Sequence, residues 1–102
     1  MLDALEVKFW DRLDNLETSE IYKDFDKDGR RKTQEQIEKD IGKAERKITE
    51  TEKYFYKIAL EFDRIMKTDF SSLLCIEVAK LKNFVMTKRI GIIKESIFII
   101  TT

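Results

Sequence analysis

The sequence predicts a mainly α-helical protein built from helical hairpins. Along residues 37–65, apolar residues recur at alternating spacings of four and three, which is the pattern of a helical seam that another helix covers. Proline is absent and glycine occurs only 3 times, so long helices are favoured and the turn residues of a β-sandwich are missing. The seam consists of Ile37, Ile41, Ala44, Ile48, the polar Thr51, Phe55, Ile58, Phe62 and Ile65.

The size and composition indicate one globular domain over residues 1–102. Apolar residues make up 42 % of the chain and charged residues 39 %, which is typical of a folded protein rather than a disordered one. The single cysteine allows no intrachain disulfide and fits a reducing compartment. Since no basic signal-peptide region and no apolar run of about 18 residues is present, we expect a cytoplasmic protein without a membrane partner.

The first predicted helix begins with a capping box formed by Asp3 and Glu6 and ends near Thr18. Its apolar face carries Leu2, Leu5, Phe9, Leu13 and Leu16. Val7 and Trp10 lie off that face. These two side chains are therefore either buried on a second side of the helix or exposed on its surface.

Residues 19–32 are predicted to form a long loop or a short hairpin that turns at Asp28-Gly29. The acidic residues of this loop match the spacing of an EF-hand calcium loop, with Asp24, Asp26, Asp28, Gly29 and Glu35 in place. However, Arg31 occupies the position of an aliphatic residue in that motif, and Lys32 follows it. A solvated charged loop is therefore the favoured interpretation, and we predict no metal site.

The seam helix is predicted to begin at a second capping box, formed by Thr33 and Gln36. It either runs unbroken to about Lys67 or breaks near Thr49, where Thr49 and Glu52 form a further capping pair. Whether residues 33–68 form one helix or two is left open by the sequence.

Ser71 and Ser72 are predicted to cap a last helix, whose apolar stripe contains Leu74, Val78, Leu81 and Val85. The tail, residues 89–102, is ambiguous. Its isoleucines fit helical spacing, but so many β-branched residues also favour a strand. The prediction is thus a mainly α fold with either helix or β structure at the C-terminal tail.

A weak internal repeat at an offset of 45 residues suggests two tandem copies of one motif, residues 1–48 and 49–102. The dipeptide Asp24-Phe25 aligns with Asp69-Phe70, and both follow a predicted helix. Few identities support this alignment, so chance similarity is the competing explanation. A groove between two such units would suit a peptide.

Catalytic residues and cofactor sites are not indicated. Histidine, the commonest general base, is absent, and no Gly-rich loop follows a strand. Cys75 is expected to be a buried, unreactive thiol because it falls near an apolar helical face. We therefore predict that the protein is not an enzyme and uses no cofactor.

The leading functional prediction is protein–protein interaction. Val7, Trp10, Tyr56 and Leu60 are apolar or aromatic residues outside the primary seams, and such residues serve as anchors at interfaces. We expect them to contact a partner peptide or helix in an apolar groove between helical units. Self-association is also expected, because a long seam can cover more than one neighbouring helix.

The alternative prediction is nucleic-acid binding through the C-terminal third. Its basic residues are Lys80, Lys82, Lys88, Arg89 and Lys94. A solvated helix face would give the same pattern. The formal net charge of +0 argues against a large nucleic-acid footprint.

In its size, its richness in lysine, isoleucine and glutamate, and its lack of motifs, the chain resembles the small orphan proteins encoded by viruses of hyperthermophilic archaea. The resemblance covers no specific residues. It implies a non-enzymatic protein of the host cell interior that works through other proteins or through viral DNA. An AT-rich genome would enrich lysine and isoleucine in the same way.

Overall fold

A computed structural model describes the backbone of residues 2–101 and the side chains of Ala4 and of residues 6–94. Four α-helices form: α1 (Leu2–Glu17), α2 (Gln34–Glu50), α3 (Tyr56–Met66) and α4 (Phe70–Thr101). A 3₁₀ turn follows α1, and a π-helical segment joins α2 to α3 without a break. The predicted mainly α class is confirmed. The tail is part of α4 as far as Thr101, so its alternative assignment to a strand is not supported.

Three rods pack side by side: α1, the continuous rod of α2 and α3, and α4. Later residues of α1 meet earlier residues of the second rod, as Phe9 contacts Phe62 and Arg12 pairs with Glu50. These two rods are therefore antiparallel. Helix α4 is also antiparallel to the second rod, because Lys82 pairs with Glu52 and the later Arg89 pairs with the earlier Glu45.

The core is formed by the predicted apolar stripes. Its buried members are Phe9, Leu13, Leu16, Ile21, Ile41, Ala44, Ile48, Ala59, Phe62, Phe70, Leu74, Val78, Leu81 and Val85. Stacked and edge-on rings of Phe9, Phe62 and Phe70, with centroids 5.3–5.5 Å apart, join all three rods at one end. The side chains of Leu2, Leu5 and the predicted cap Asp3 lie outside the described residues.

The π-helical segment, Thr51–Phe55, changes the register of the predicted seam. Up to Thr51 the seam is buried or half-buried as predicted, but Ile58 and Ile65 are 43 % and 59 % exposed. Ala59, one residue later than Ile58, is fully buried in its place. A π turn accommodates one extra residue, so Ala59 takes the buried position that was predicted for Ile58. The prediction that Ile58 and Ile65 are buried was therefore wrong, while Phe62 is buried as predicted.

The segment between α1 and α2 is a small hairpin-like loop. Phe25 and Arg31 form an isolated antiparallel bridge, and Gly29 takes the turn with a φ of +76°. The carboxylate of Asp26 accepts hydrogen bonds from the backbone N–H groups of Asp28 and Arg30, at 2.9 Å each. Asp26 is therefore a turn residue. Among the described residues, no group of three His, Cys, Asp or Glu side chains is placed to hold a metal ion.

Helix ends follow local side-chain chemistry. The predicted capping box of α2 is confirmed: Gln36 N–H donates to Thr33 Oγ1, and Thr33 N–H donates to Gln36 Oε1. At the other end of the rod, Lys67 adopts a left-handed φ of 55° and ends α3. The rod thus runs unbroken from Gln34 to Met66.

The structure does not support two tandem copies of one motif. The proposed boundary between residues 48 and 49 lies inside α2. The two matching dipeptides also differ, since Phe25 is exposed in the loop and Phe70 is buried at the start of α4. The domain assignment to residues 1–102 remains a prediction.

Candidate protein-interaction surface

Helix α4 carries apolar residues on two sides. One side, with Leu74, Val78, Leu81 and Val85, is buried in the core. The other side carries a second series at alternating spacings of four and three, and we call it the α4 outer face. Its described members are Ser72, Ile76, Ala79, Asn83, Met86, Ile90 and Ile93, all of them exposed.

The exposure of the large side chains on the α4 outer face is unusual for a helix of this composition. Ile76, Met86, Ile90 and Ile93 are 53 %, 59 %, 45 % and 56 % exposed. A helix that is apolar all round is normally covered on all sides, and contiguous exposed apolar surface marks interaction sites. The bundle covers one side of α4 and leaves the other without a described neighbour.

Sequence reasoning missed the α4 outer face because apolar residues on both sides of a helix cancel the amphipathic signal. The stripe through Leu74 and Leu81 was recognised, and the second series was not. The signal that could have revealed it is the 3.5-residue spacing from Ser72 to Ile93, which continues in the sequence at Ile97 and Ile100. The side chains of those last two residues lie outside the described part.

The predicted nucleic-acid residues lie along α4, and most are already paired with carboxylates. Lys80 pairs with Glu77 at 3.2 Å, Lys82 with Glu52 at 2.5 Å and Lys88 with Asp24 at 3.2 Å, while Arg89 pairs with Glu45. Lys94 is exposed. A phosphate would have to displace these carboxylates, so the basic residues do not form a ready anion site.

Two of the predicted partner-binding residues line one groove. Tyr56 and Leu60 of α3 face Cys75 and Ile76 of α4 across a groove of about 400 Å³. Because Ile76 also belongs to the α4 outer face, this groove and the face form one continuous apolar surface. Burial, and then a hydrogen bond with Cys75, raise the pKa of the Tyr56 hydroxyl well above its ordinary value, so it stays neutral.

The other two predicted partner-binding residues lie on α1 and do not line this groove. Trp10 packs its ring edge-on against Phe70, with centroids 5.3 Å apart, yet it is 49 % exposed. Val7 is 58 % exposed. The structure therefore brings Tyr56 and Leu60 together in this groove and does not place Val7 or Trp10 in its lining.

The prediction that Cys75 is buried was wrong, because Cys75 is exposed. On α4 it lies one residue beyond the buried Leu74, a rotation of about 100° that turns it toward the groove. No described base is placed to activate it, as the chain contains no histidine. We therefore regard it as part of the apolar lining.

A second cleft, of about 510 Å³, lies between the loop that follows the 3₁₀ turn and α4. Its lining includes Lys32, whose ammonium pairs with Asp40 at 2.6 Å and also donates to the carbonyl of Glu20 at 2.7 Å. Lys88, also in the lining, pairs with Asp24. These pairs fasten the loop to the bundle, which accounts for the charged lining without a ligand.

Comparisons with protein-family models, curated proteins and solved structures gave no match. None of the described helices has both the length and the apolarity needed to cross a bilayer. The function of the candidate surface is therefore inferred from its geometry alone.

Proposed function

We propose that this chain is a non-enzymatic protein–protein interaction protein, and that its α4 outer face binds an amphipathic helix. The observation that supports this is the exposed series from Ser72 to Ile93, whose 3.5-residue spacing is that of a helix–helix seam. A bound helix would supply the neighbour that the bundle does not provide on this side of α4.

Apolar burial is the main gain in such binding. Fully covering an Ile or Met side chain contributes about 1.5–3 kcal/mol, and the four large side chains of the face are about half exposed, so covering them contributes roughly 3–6 kcal/mol. The loss of translational and rotational freedom offsets about 4 kcal/mol or more. The bound helix must therefore bury apolar residues of its own as well, which needs a helix of several turns that covers the whole face.

The groove beside the face extends the same contact onto α3. Leu60 is 59 % exposed and lies across the groove from Ile76, so a helix resting near Ile76 can also cover Leu60. Tyr56 lines the groove, and its hydroxyl is neutral. This arrangement retains the predicted contribution of Tyr56 and Leu60 and leaves Val7 and Trp10 outside the contact.

Affinity capture from the native host tests this proposal. The wild-type chain is compared with the double variant Met86→Glu, Ile90→Glu, which places charges at the centre of the face. Val7→Glu is the matched control, since it charges an exposed apolar residue on α1. We expect the same proteins to be retained by the wild type and the control and lost by the double variant. Identical retention by all three chains would contradict the proposal.

Nucleic-acid binding remains the second prediction, and the ion pairs along α4 weigh against it. On a DNA column we expect no retention that falls steeply with salt, because phosphate contacts would have to break those pairs. Salt-sensitive retention that is lost on changing Lys82 and Arg89 to glutamine would support this alternative instead.

A further inference from the structure

We propose that the helix bound by the α4 outer face is α4 of a second copy of this chain, with the two helices parallel and in register as a two-stranded coiled coil. This inference rests on the proposed function and names its partner. The arguments for it come from the residues at the seam, from Asn83, and from the charges beside the seam.

The seam residues favour two strands. In heptad terms, the a positions hold Ile76, Asn83 and Ile90, and the d positions hold Ser72, Ala79, Met86 and Ile93. Isoleucine at a favours a parallel dimer where leucine stands at d, whereas the pair Ile90 and Ile93 alone would favour more strands. The polar Asn83 at the central a position is the residue type that specifies strand number. The small residues at Ser72 and Ala79 allow the two helices to approach closely at one end.

Asn83 determines the orientation. Its side-chain amide is exposed and makes no hydrogen bond within the described part of the chain. In a parallel, in-register pair, each Asn83 faces the other copy's Asn83, and the two amides can bond to each other. In an antiparallel or shifted pair, the amide would face an apolar residue and be buried without a partner, which is costly.

The charges beside the seam suit a second copy better than a foreign acidic helix. Lys82 and Arg89 flank the seam at g positions, which in a parallel pair face Thr87 and Lys94 at the e positions of the other copy. Lys82 and Arg89 are each neutralised within their own chain, by Glu52 and by Glu45. An acidic partner would have to compete with these carboxylates. Two copies also carry no net charge, so long-range repulsion does not oppose their approach.

The length and drift of the series fit a supercoil. From Ser72 to Ile93 the face covers three heptads, which is about 32 Å of helix. On a straight helix a 3.5-residue series drifts by about 20° per heptad, so two copies remain in contact by wrapping around each other with a left-handed twist.

Sedimentation equilibrium of the full chain tests the dimer. We expect the wild type and the Val7→Glu control to have about twice the chain mass of 12.2 kDa. The Met86→Glu, Ile90→Glu variant should sediment at the chain mass while keeping its helical circular dichroism, because both positions are exposed in one chain. A monomeric wild type, a larger assembly, or a dimer that the double variant retains would overturn the proposal.

Oxidative cross-linking tests the orientation. In a Cys75→Ser background, Ala79→Cys should form a covalent dimer in near-complete yield, because equivalent d positions meet in a parallel pair. Lys57→Cys on the exposed side of α3 is the control and should remain monomeric on a denaturing gel. A dimer that fails to cross-link through Ala79→Cys would overturn the parallel register.

These outcomes separate the two proposals. A monomeric wild type that still captures a host protein, and loses it in the double variant, overturns the second copy and leaves the proposed function standing. A monomeric wild type whose captured proteins do not depend on the face overturns both.

Discussion

At the scale of single residues, Asp63 organises the junction between α3 and α4. Its carboxylate accepts hydrogen bonds from the hydroxyls of Thr68 and Ser71 and from the backbone N–H groups of Phe70 and Ser71, at 2.5–3.0 Å. The aspartate of one helix therefore caps the start of the next. Burial acts to raise the pKa of Asp63, but these hydrogen bonds outweigh it and hold the pKa below its ordinary value.

The pKa of Asp63 gives a pH-dependent prediction. Asp63→Ala should lower the free energy of unfolding by about 2 kcal/mol at neutral pH, because two N–H groups at the start of α4 lose their acceptor. The folded-state pKa is depressed, so the wild-type advantage is present above the ordinary aspartate pKa and is lost as pH falls through the folded value.

Urea unfolding at neutral and at acidic pH measures this difference. Asp11→Ala, at an exposed carboxylate of α1, is the control and should change the unfolding free energy by less than about 0.5 kcal/mol. A difference between the wild type and Asp63→Ala that does not change with pH would contradict this account of the cap.

Of the caps predicted between neighbours in sequence, the Thr33–Gln36 box is confirmed, but Ser71 and Ser72 lie within α4, which begins at Phe70. The cap made at a distance by Asp63 was missed. The pair Thr33 and Gln36 is recognisable because both partners fall within one turn. Asp63 lies seven and eight residues before Phe70 and Ser71, which is too far for a capping pattern within one helical turn. Lys67 is the left-handed residue that ends α3, so only the folded junction shows that Asp63 serves α4.

At the scale of elements, the π segment and α4 depart from simple periodicity. The 4–3 spacing predicted the buried face of α2 and Phe62 of α3 correctly. It misplaced Ile58 and Ile65, because the extra residue of the π turn cannot be read from apolar spacing alone. In α4 the core stripe was predicted, but the tail from residue 89 was ambiguous. Isoleucine favours a strand by propensity, while the long packed helix favours helical continuation.

Removing the extra residue tests the register shift. Deleting Lys53, an exposed residue in the π segment, should give a regular helix that keeps Ala59 and Phe62 in the core. We expect the melting temperature measured by circular dichroism to fall by only a few degrees. Deleting Lys57, within the regular helix α3, is the control and should lower it far more, because the residues after it rotate by about 100°. Equal effects of the two deletions would contradict the shift.

The polar position in the α4 seam gives a further prediction. Asn83→Ile should raise the thermal stability of the assembly and broaden its distribution of masses beyond the dimer, because an isoleucine at this a position removes the constraint on register and strand number. Size-exclusion chromatography with light scattering measures the distribution. A sharp dimer of unchanged stability would show that Asn83 is not at the contact.

At the scale of the whole molecule, α4 packs against two rods and carries apolar residues for one further neighbour. Two rods cover the side of α4 that carries Leu74 and Leu81, and within the described residues they leave Ile76, Met86, Ile90 and Ile93 exposed. The sequence predicted the helical class and the need for covering helices. The sequence could not show which face of α4 would remain uncovered, because that depends on where the other two rods pack against it.

The central claim is that two copies of this chain bind each other through the α4 outer face, and an amide chemical-shift map recorded during dilution tests it most directly. The account predicts that shifts on dilution centre on residues 76–93 of α4 and on Leu60, with α1 and residues 23–32 unchanged. Shifts centred on Val7 and Trp10 or on residues 23–32, or a spectrum that does not change with concentration, would contradict it.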